Sequence, residues 1–265
     1  MAWHVQMRFR NLGSGSGGNS TLVEASQGIT TTRVLVDAGF SERELTRRLA
    51  FAGCTAADVD AIFITHEHGD HVGRSVAFAR RHRIPLITSR GTWRVIGCED
   101  FEASLLCLAR SGEAIALGDL ELHPFAVPHD AHEPLQLCLS DGAVRLGIVT
   151  DLGCAPEAVA EALRGCRALL LECNHDEGML RSGPYPPALQ RRILGTHGHL
   201  SNEAAADLLS RCRHAALGAV VAAHLSEKNN SPALARDALA RVLSCGADDI
   251  RVADPALGFD WLAVG

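Results

Sequence analysis

The sequence contains very little lysine. Lys228 is the only one among 265 residues, and the formal net charge is −6 with histidine neutral. This balance argues against a protein coated in positive charge for non-specific binding to nucleic acid. A local basic groove is still compatible with the composition, because bound divalent ions would add positive charge that the count omits. Any contacts with phosphate groups would have to come mostly from arginine, backbone N–H groups or metal.

Long apolar runs and paired cysteine motifs are also missing. No stretch approaches the ~20 apolar residues of a membrane span. Met1–Arg10 mixes His, Gln and Arg where a signal peptide would be apolar. The nine cysteines form no C-x-x-C motif, and most have apolar neighbours, which indicates reduced thiols. We therefore expect a cytoplasmic protein that does not bind membranes.

Apolar material for a core is ample. Hydrophobic residues make up 47% of the chain and charged residues 21%, which is typical of a globular protein. No linker, low-complexity tract or short repeat divides the sequence, so we predict a single domain over residues 1–265. Apolar strands alternate with helical patterns, and in both halves the strands tend to end in His or Asp. This pattern predicts an α/β protein with two sheets, outer helices and a site along the strand ends.

One segment, reading THEHGDH, concentrates side chains that bind metals. Four potential ligands lie within six residues: His66, His68, Asp70 and His71. Their spacing does not fit one face of a helix, so we predict a tight loop after an apolar strand at Val59–Ile64. Imidazole and carboxylate groups bind zinc and similar divalent ions. One tetrahedral ion cannot easily take all four ligands. The segment therefore predicts two ions, one at His66 and His68 and the other at Asp70 and His71.

Further ligands are expected where other strands end. His129, Asp151 and His224 each follow an apolar strand, and a carboxylate such as Asp151 could bridge two ions. His132 competes with His129 as third ligand of the first ion, and we favour His129 because it follows its strand directly. An open position would remain for a shared water or hydroxide, as catalysis requires. We expect two divalent ions per chain, Zn²⁺ or Mn²⁺, with Fe²⁺ also compatible.

These motifs resemble those of the metallo-beta-lactamase superfamily. THEHGDH is similar to the family motif H-x-H-x-D-H, and His129, Asp151 and His224 match its later single-ligand motifs in order and rough spacing. Asp37, within the sequence LVDAG, resembles an Asp that supports the metal loop rather than binding metal. The resemblance covers nearly the whole chain. It implies a four-layer αββα sandwich, in which two mixed sheets are flanked by helices, and a two-metal site.

Five further segments resemble a narrower group, the YycJ/VicX (WalJ) subgroup, which is related to ribonuclease Z and phosphodiesterases. They are Gly13–Ser20, Pro128–Ala131, Thr150–Gly153, Glu172–Asp176 with Gly198–Asn202, and His224–Asn230. That subgroup usually has Ser where Cys173 stands. The resemblance implies a dinuclear metal-dependent phosphodiesterase or nuclease, with a DNA exonuclease (5′–3′) as leading hypothesis and DNA favoured over RNA. The residues themselves carry no information on strand polarity.

The hypothesis assigns roles to individual side chains. Asp70 would orient a metal-bridging hydroxide that acts as the nucleophile. His199 resembles the non-ligand histidine of ribonuclease Z-like enzymes, which lies near the scissile phosphate. It would stabilise developing charge or protonate the leaving oxygen, although a structural role at a helix start is the alternative. Substrate-binding candidates follow two strand ends: Asn174, His175, Lys228, Asn229 and Asn230. For Asn174 and His175 the alternative is hydrogen bonding that supports the metal ligands, and for the Asn pair it is an ordinary turn.

Two other functions stay open. The aromatic content of 5% and the negative charge mildly favour a hydrolase of a small ester, thioester or lactam, because base-stacking platforms are usually aromatic. A non-catalytic regulatory metal protein could keep the same fold, although the complete ligand set speaks against it. The arginine clusters at 80–83 and 191–192 could line a nucleic-acid track or simply be solvated. The sequence contains no recognisable inserted domain that would clamp a substrate.

Overall fold

The computed structural model describes residues 6–265, so the segment Met1–Arg10 lies partly outside the described residues. The strands are β1 Gln6–Gly13, β2 Ser20–Ser26, β3 Thr31–Val36, β4 Ala61–Ile64, β5 Leu86–Ser89, β6 Leu106–Ala109, β7 Ile115–Leu117, β8 Leu120–Ala126, β9 Leu135–Ser140, β10 Arg145–Val149, β11 Ala168–Glu172, β12 Ala219–Ala223, β13 Arg251–Val252 and β14 Phe259–Ala263. The helices are α1 Glu42–Phe51, α2 Gly69–Val72, α3 Ser75–His82, α4 Arg90–Ile96, α5 Glu157–Leu163, α6 Glu177–Ser182, α7 Pro187–Ile193, α8 Asn202–Cys212 and α9 Pro232–Leu243.

The strands form two mixed sheets of seven strands each. The first has the order β14-β1-β2-β3-β4-β5-β6, and the second has the order β13-β12-β11-β10-β9-β8-β7. In the first sheet, β3 to β6 are parallel and the other pairs are antiparallel. In the second sheet, β10 to β13 are parallel and the other pairs are antiparallel. The carboxyl ends of the parallel strands are therefore available at one edge of each sheet.

Alternating side chains place each central strand between two apolar layers. In β4, Ala61 and Phe63 belong to the core shared by the two sheets, whereas Ile62 and Ile64 pack with the helices outside the first sheet. Such alternation follows from the two-residue repeat of a strand. A third core packs α5, α8 and α9 on the outer face of the second sheet. The result is the four-layer αββα sandwich, and the fold class inferred from the sequence is confirmed.

The composition also led to expectations about thiols and membranes. All nine cysteines lie within residues 6–265 and all are free thiols there. The fully buried ones are Cys54, Cys138, Cys166, Cys173 and Cys212. Over the same residues, no helix combines the length and the apolar character that crossing a bilayer requires.

The metal-loop segment is more ordered than the sequence predicts. We expected a loop from His66 to His71, but only His66–His68 is irregular, and Gly69–Val72 forms one helical turn with His68 as its N-cap. Gly73, with a φ of 44°, ends this turn. An acidic residue such as Asp70 in the first turn suits the partial positive charge of a helix N-terminus. The turn lets the side chains of Asp70 and His71 leave the backbone in different directions.

Close packing at Gly39 leads to a first prediction. A side chain at Gly39 would overlap the backbone carbonyl of Asp70, and the Gly39 amide donates to Asn19 O at 2.9 Å. We therefore expect Gly39→Ala to lower the free energy of unfolding by about 1–3 kcal/mol, as overpacking usually does. Urea denaturation measures the change. Gly17→Ala is the matched control, because a methyl group there meets open space; equal stability losses in the two variants would contradict the prediction.

Candidate metal centre

Three histidines form the first group of possible metal ligands. The ring nitrogens of His66, His68 and His129 lie within 4.8 Å of one another. His129 Nδ1 donates to Gly198 O at 3.0 Å, which leaves Nε2 free, 3.3 Å from His68 Nδ1. Burial lowers the pKa of His66 well below its usual value. His66 is thus a neutral imidazole, the form that binds a metal. His132, the alternative to His129, is exposed and bonds Glu67 instead.

Asp70, His71 and His224 form the second group. Asp70 Oδ2 lies 3.6 Å from Nε2 of each histidine. His71 Nδ1 donates to Asp37 Oδ2 at 2.8 Å, so its Nε2 faces the cluster. Burial alone would lower the pKa of His71, but Asp151 and Asp37 raise it well above the ordinary value. This second group thus combines a carboxylate with two imidazoles inside a buried site.

Asp151 lies between the two groups. Its carboxylate comes within 4.8 Å of ligand atoms of His66 and His71 on one side, and of His224 on the other. The side chain is 2% exposed, and burial alone would raise its pKa. The neighbouring His224 and His71 instead lower the pKa of Asp151 well below its usual value. Asp151 is therefore an ionised carboxylate that both groups share, as a bridging ligand would be.

The strand ends that deliver these side chains are strained. Asp37, Asp151 and His224 have positive φ values of 60°, 57° and 55°, and each directly follows or nearly follows a strand. Non-glycine residues rarely adopt this conformation, which costs of order 1–3 kcal/mol and is concentrated at functional sites. His224 N is held by Ser14 Oγ at 2.8 Å. The Gly/Ser segment near the N-terminus thus fixes the backbone of a ligand.

Hydrogen bonds of Asp37 and Thr65 orient the start of the metal-loop segment at His66. The Thr65 amide donates to Asp37 Oδ1 at 2.9 Å, and Thr65 Oγ1 lies 2.9 Å from His66 Nδ1. Asn19, which the sequence-based reasoning missed, donates through its backbone amide to Asp70 O at 2.7 Å, and its Nδ2 lies 3.3 Å from Asp70 Oδ2. Partners of this kind set the orientation of metal-binding side chains.

Glu172 is the most important residue that the sequence-based reasoning did not assign. It ends β11 and is fully buried. Its Oε1 accepts hydrogen bonds from His199 Nδ1 at 2.8 Å and from His224 Nδ1 at 3.2 Å. Burial would raise the pKa of this carboxyl, but His199 lowers it. The signal was present, because Glu172 is itself a polar residue at the end of an apolar strand.

Asn174 and His175 lie among buried residues behind the cluster. Asn174 Nδ2 donates to His224 O at 3.0 Å, and burial lowers the pKa of His175 to about 4. Among residues 6–265, those that line the cavity described below include neither of them. Support of the His224 backbone therefore fits the contacts of Asn174 better than contact with a substrate, and His175 Nδ1 lies 3.4 Å from Asn174 Oδ1.

The segment after His224 also contains buried candidates, together with one exposed candidate. Asn229 is buried and its Nδ2 lies 3.2 Å from Ser226 Oγ. Asn230 Nδ2 donates to Cys173 O at 2.7 Å, so the Asn229 amide contacts a neighbouring side chain and the Asn230 amide holds the backbone. Lys228 is exposed, and its Nζ lies 5.8 Å from the centre of the Tyr185 ring. Of the three predicted substrate contacts in this segment, only Lys228 is accessible near the site.

An open cavity of about 430 Å³ lies over the metal-ligand cluster. Its floor includes Asp70, Asp151, His199 and His224. His199 lies outside the two groups of three but forms a further group of possible ligands with Asp151, Glu172 and His224. Burial would lower the pKa of His199, but Glu172 and Asp151 raise it well above the usual value. His199 therefore presents a proton donor at the floor of the cavity. The lining of the same cavity also includes Tyr185, Leu189, Arg192 and Ile193.

The donor set fits divalent metal ions. Nε2 of His66 and Nε2 of His224 are buried, and within residues 6–265 neither has a hydrogen-bond partner. Asp151 Oδ2 lies 2.7 Å from His71 Nε2 but is not aligned for a hydrogen bond. Buried polar atoms without partners are costly, and metal ions of the zinc type would satisfy imidazole nitrogen and carboxylate oxygen together.

Metal removal leads to a second prediction. A ligand present at a hundred times its dissociation constant stabilises the folded state by about 2.7 kcal/mol. We therefore expect a strong chelator to lower the free energy of unfolding by about 3 kcal/mol, measured by denaturant titration with and without added Zn²⁺. A double variant, His66→Ala with His224→Ala, removes one ligand from each group and should show no further loss with chelator. An unchanged stability of the wild type would contradict the prediction.

The chain is similar to one protein family and to several known proteins. The model of the beta-lactamase superfamily domain matches residues 32–224. Exodeoxyribonuclease YycJ of Bacillus anthracis is 33% identical over 241 residues, covering 89% of each chain. Exodeoxyribonuclease WalJ of Streptococcus pneumoniae serotype 2 is 33% identical over 235 residues, covering 87% of this chain and 86% of its own. The metallo-beta-lactamase fold protein YhfI from Bacillus subtilis has a TM-score of 0.73 at 14% identity, covering 98% of this chain and 99% of that one.

Proposed function

This chain belongs to the beta-lactamase superfamily, and from that premise we propose that it is a two-metal exonuclease that degrades DNA in the 5′ to 3′ direction. That the chain is a metal-dependent hydrolase follows from its family and its relatives. The observation that carries the proposal is the pair of ligand groups that share Asp151 beneath an open cavity. The names of the YycJ and WalJ relatives support DNA as the substrate.

Residues of the chain would perform distinct tasks in this reaction. His66, His68 and His129 would hold one ion, Asp70, His71 and His224 the other, and Asp151 would contact both. Two divalent ions bound there would activate water and polarise the phosphoryl oxygens.

Asp70 and His199 flank the place where a phosphodiester would lie. Asp70 would orient the attacking water through the oxygen that is not engaged with the histidines. His199 is held by Glu172 at 2.8 Å and by Asp151 at 3.2 Å, so its position at the cavity floor is fixed. Its raised pKa lets it stabilise developing negative charge or donate a proton to the leaving oxygen. The arrangement therefore supplies the groups that phosphodiester hydrolysis requires.

The proposal is tested by incubating the full chain, loaded with Mn²⁺ or Zn²⁺, with single- and double-stranded DNA and RNA. Substrates labelled at the 5′ or the 3′ end report the direction of degradation, and a thioester and a lactam test the small-molecule alternative. We expect stepwise shortening of DNA from the 5′ end. Absence of DNA hydrolysis, or equal hydrolysis by wild type and Asp70→Ala, would refute a DNA nuclease that uses this site. Degradation from the 3′ end would refute only the direction.

A further inference from the structure

The cavity wall opposite the metal ligands is a short, stiff segment. Tyr185, the only tyrosine in the sequence, precedes α7 and is flanked by Pro184 and Pro186, whose rings restrict the backbone. The Tyr185 carbonyl accepts a hydrogen bond from Gln190 Nε2 at 3.0 Å. The ring is half-buried and lines the cavity. An aromatic surface is therefore held rigidly above the site.

Apolar side chains of α7 extend this surface. Leu189 and Ile193 are four residues apart, so they lie on one face of the helix, and both line the cavity. The helix also delivers a floor residue, because the His199 amide donates to Ile193 O at 3.0 Å. The cavity thus has a polar floor of metal ligands and His199, and a wall that is aromatic and aliphatic.

One cation borders the aromatic ring: Nζ of Lys228, the only lysine in the sequence, lies 5.8 Å from the centre of the Tyr185 ring. Arg192, seven residues after Tyr185, lines the same cavity, and its Nε donates to Asp130 Oδ2 at 2.6 Å. The Asp130 carboxylate therefore offsets the charge of Arg192. In a chain with a net charge of −6, Lys228 places positive charge where an anionic strand would enter.

The size of the cavity matches one nucleotide rather than a folded polymer. Its volume of 430 Å³ falls within the ~300–1,000 Å³ that is usual for sites of small ligands. A ligand with a phosphate at one end and a flat, largely apolar group at the other would satisfy both the floor and the wall. The terminal nucleotide of a DNA strand has this chemistry.

We propose that Tyr185, with Leu189 and Ile193, forms a base-binding platform that takes the terminal base of the strand while the adjoining phosphate lies over the metal ligands. The inference rests on the proposed nuclease function and deepens it by naming the surface that holds the substrate. Stacking on an aromatic ring accepts every base, so the platform selects an unpaired end rather than a sequence. A base in the cavity has left its duplex stack, and single-stranded or frayed ends are the substrates.

A binding experiment isolates the contribution of the base without any hydrolysis. Thymidine 5′-monophosphate and 2-deoxyribose 5-phosphate share the sugar and the phosphate, and only the first carries a base. Titration calorimetry with the metal-loaded full chain gives the ratio of their dissociation constants. We expect wild type to prefer the nucleotide about tenfold, the order of one base stacked on an aromatic side chain. Tyr185→Phe should keep this preference, and Tyr185→Ala should abolish it.

Further measurements separate the platform from the fold and from the proposed reaction. Tyr185→Ala should bind 2-deoxyribose 5-phosphate as wild type does, and Arg191→Ala, an exposed residue of α7 outside the cavity lining, should keep the nucleotide preference. An equal affinity of wild type for both ligands, or a preference that survives Tyr185→Ala, would overturn the platform even if DNA is degraded. Loss of both affinities in Tyr185→Ala and Tyr185→Phe alike would also overturn it. A Tyr185-dependent preference without DNA hydrolysis would uphold the platform and refute only the nuclease.

Discussion

The Asp70→Ala variant is expected to hydrolyse DNA roughly a thousandfold more slowly than wild type, since a catalytic metal contributes several kcal/mol and each 1.4 kcal/mol is a factor of ten. Asp70 supplies the only carboxylate of the second ligand group and lies 3.6 Å from the Nε2 atoms of His71 and His224. Without it, two imidazoles remain to hold one ion. The same substitution also removes the group that would orient the attacking water.

The measurement combines single-turnover kinetics with elemental analysis of metal content. We expect Asp70→Ala to retain one ion per chain and to keep its folded structure by circular dichroism, because Asp70 is partly exposed. Asp130→Ala is the control: this carboxylate lines the same cavity and lies 3.4 Å from His129 Nε2, but it is a member of neither group of three ligands. It should lose much less activity than Asp70→Ala. Comparable losses in both variants would show that any charge change in the cavity, rather than the loss of a ligand, slows the reaction.

The architecture and the clustering of the candidate ligands could be anticipated because their signals are local. The family resemblance is confirmed, and the two sheets with flanking helices follow from apolar strands whose alternate residues face different cores. The sequence signal is the close spacing of four ligand-type residues, which chance rarely produces: His66, His68, Asp70 and His71. Their roles as metal ligands stay predictions. The single domain over residues 1–265 and the cytoplasmic location also stay predictions.

The cavity wall could not be anticipated, because its elements carry weak patterns. Helices α6 and α7 have six and seven residues, too few for a repeating apolar face, and prolines surround Tyr185.

Edge strands β6 and β7 are short and half-exposed, so they also lack a clear period. A sequence shows that Asn229 and Asn230 follow His224, but not that their side-chain amides are buried and bond residues of the chain itself.

The strained strand ends connect the fold to the chemistry. Parallel strands bring their carboxyl ends to one edge, but a regular strand exit would not by itself aim a side chain at a shared centre. The positive φ values at Asp151 and His224 turn the chain sharply at this edge. The strain is sustained by buried contacts such as Ser14 Oγ on the His224 amide. The two sheets would thereby hold the candidate ligands in place before a metal binds.

Glu172→Gln is expected to lower DNA hydrolysis and metal affinity by about 10–100-fold, the usual effect of removing a partner that orients metal ligands. Glu172 Oε1 accepts from Nδ1 of both His199 and His224, and Oε2 accepts from the Leu152 amide at 3.0 Å and the Leu200 amide at 3.1 Å. All these partners are donors. An amide NH₂ in place of either oxygen would face two donors, either the two histidines or the Leu152 and Leu200 amides, so part of this network must move.

The readouts are the affinity for Zn²⁺, measured by chelator competition, and kcat for DNA. Glu24→Gln is the matched control, because Glu24 is also a buried carboxylate and bonds Arg8 and Arg33 at 2.7 Å each, but it has no contact with the ligand groups. Both variants should lose stability, since each replaces a buried carboxylate that accepts charge-assisted hydrogen bonds. Only Glu172→Gln should lose metal affinity and kcat. If the two variants lose stability alike and leave kcat and Zn²⁺ affinity unchanged, Glu172 supports the fold alone.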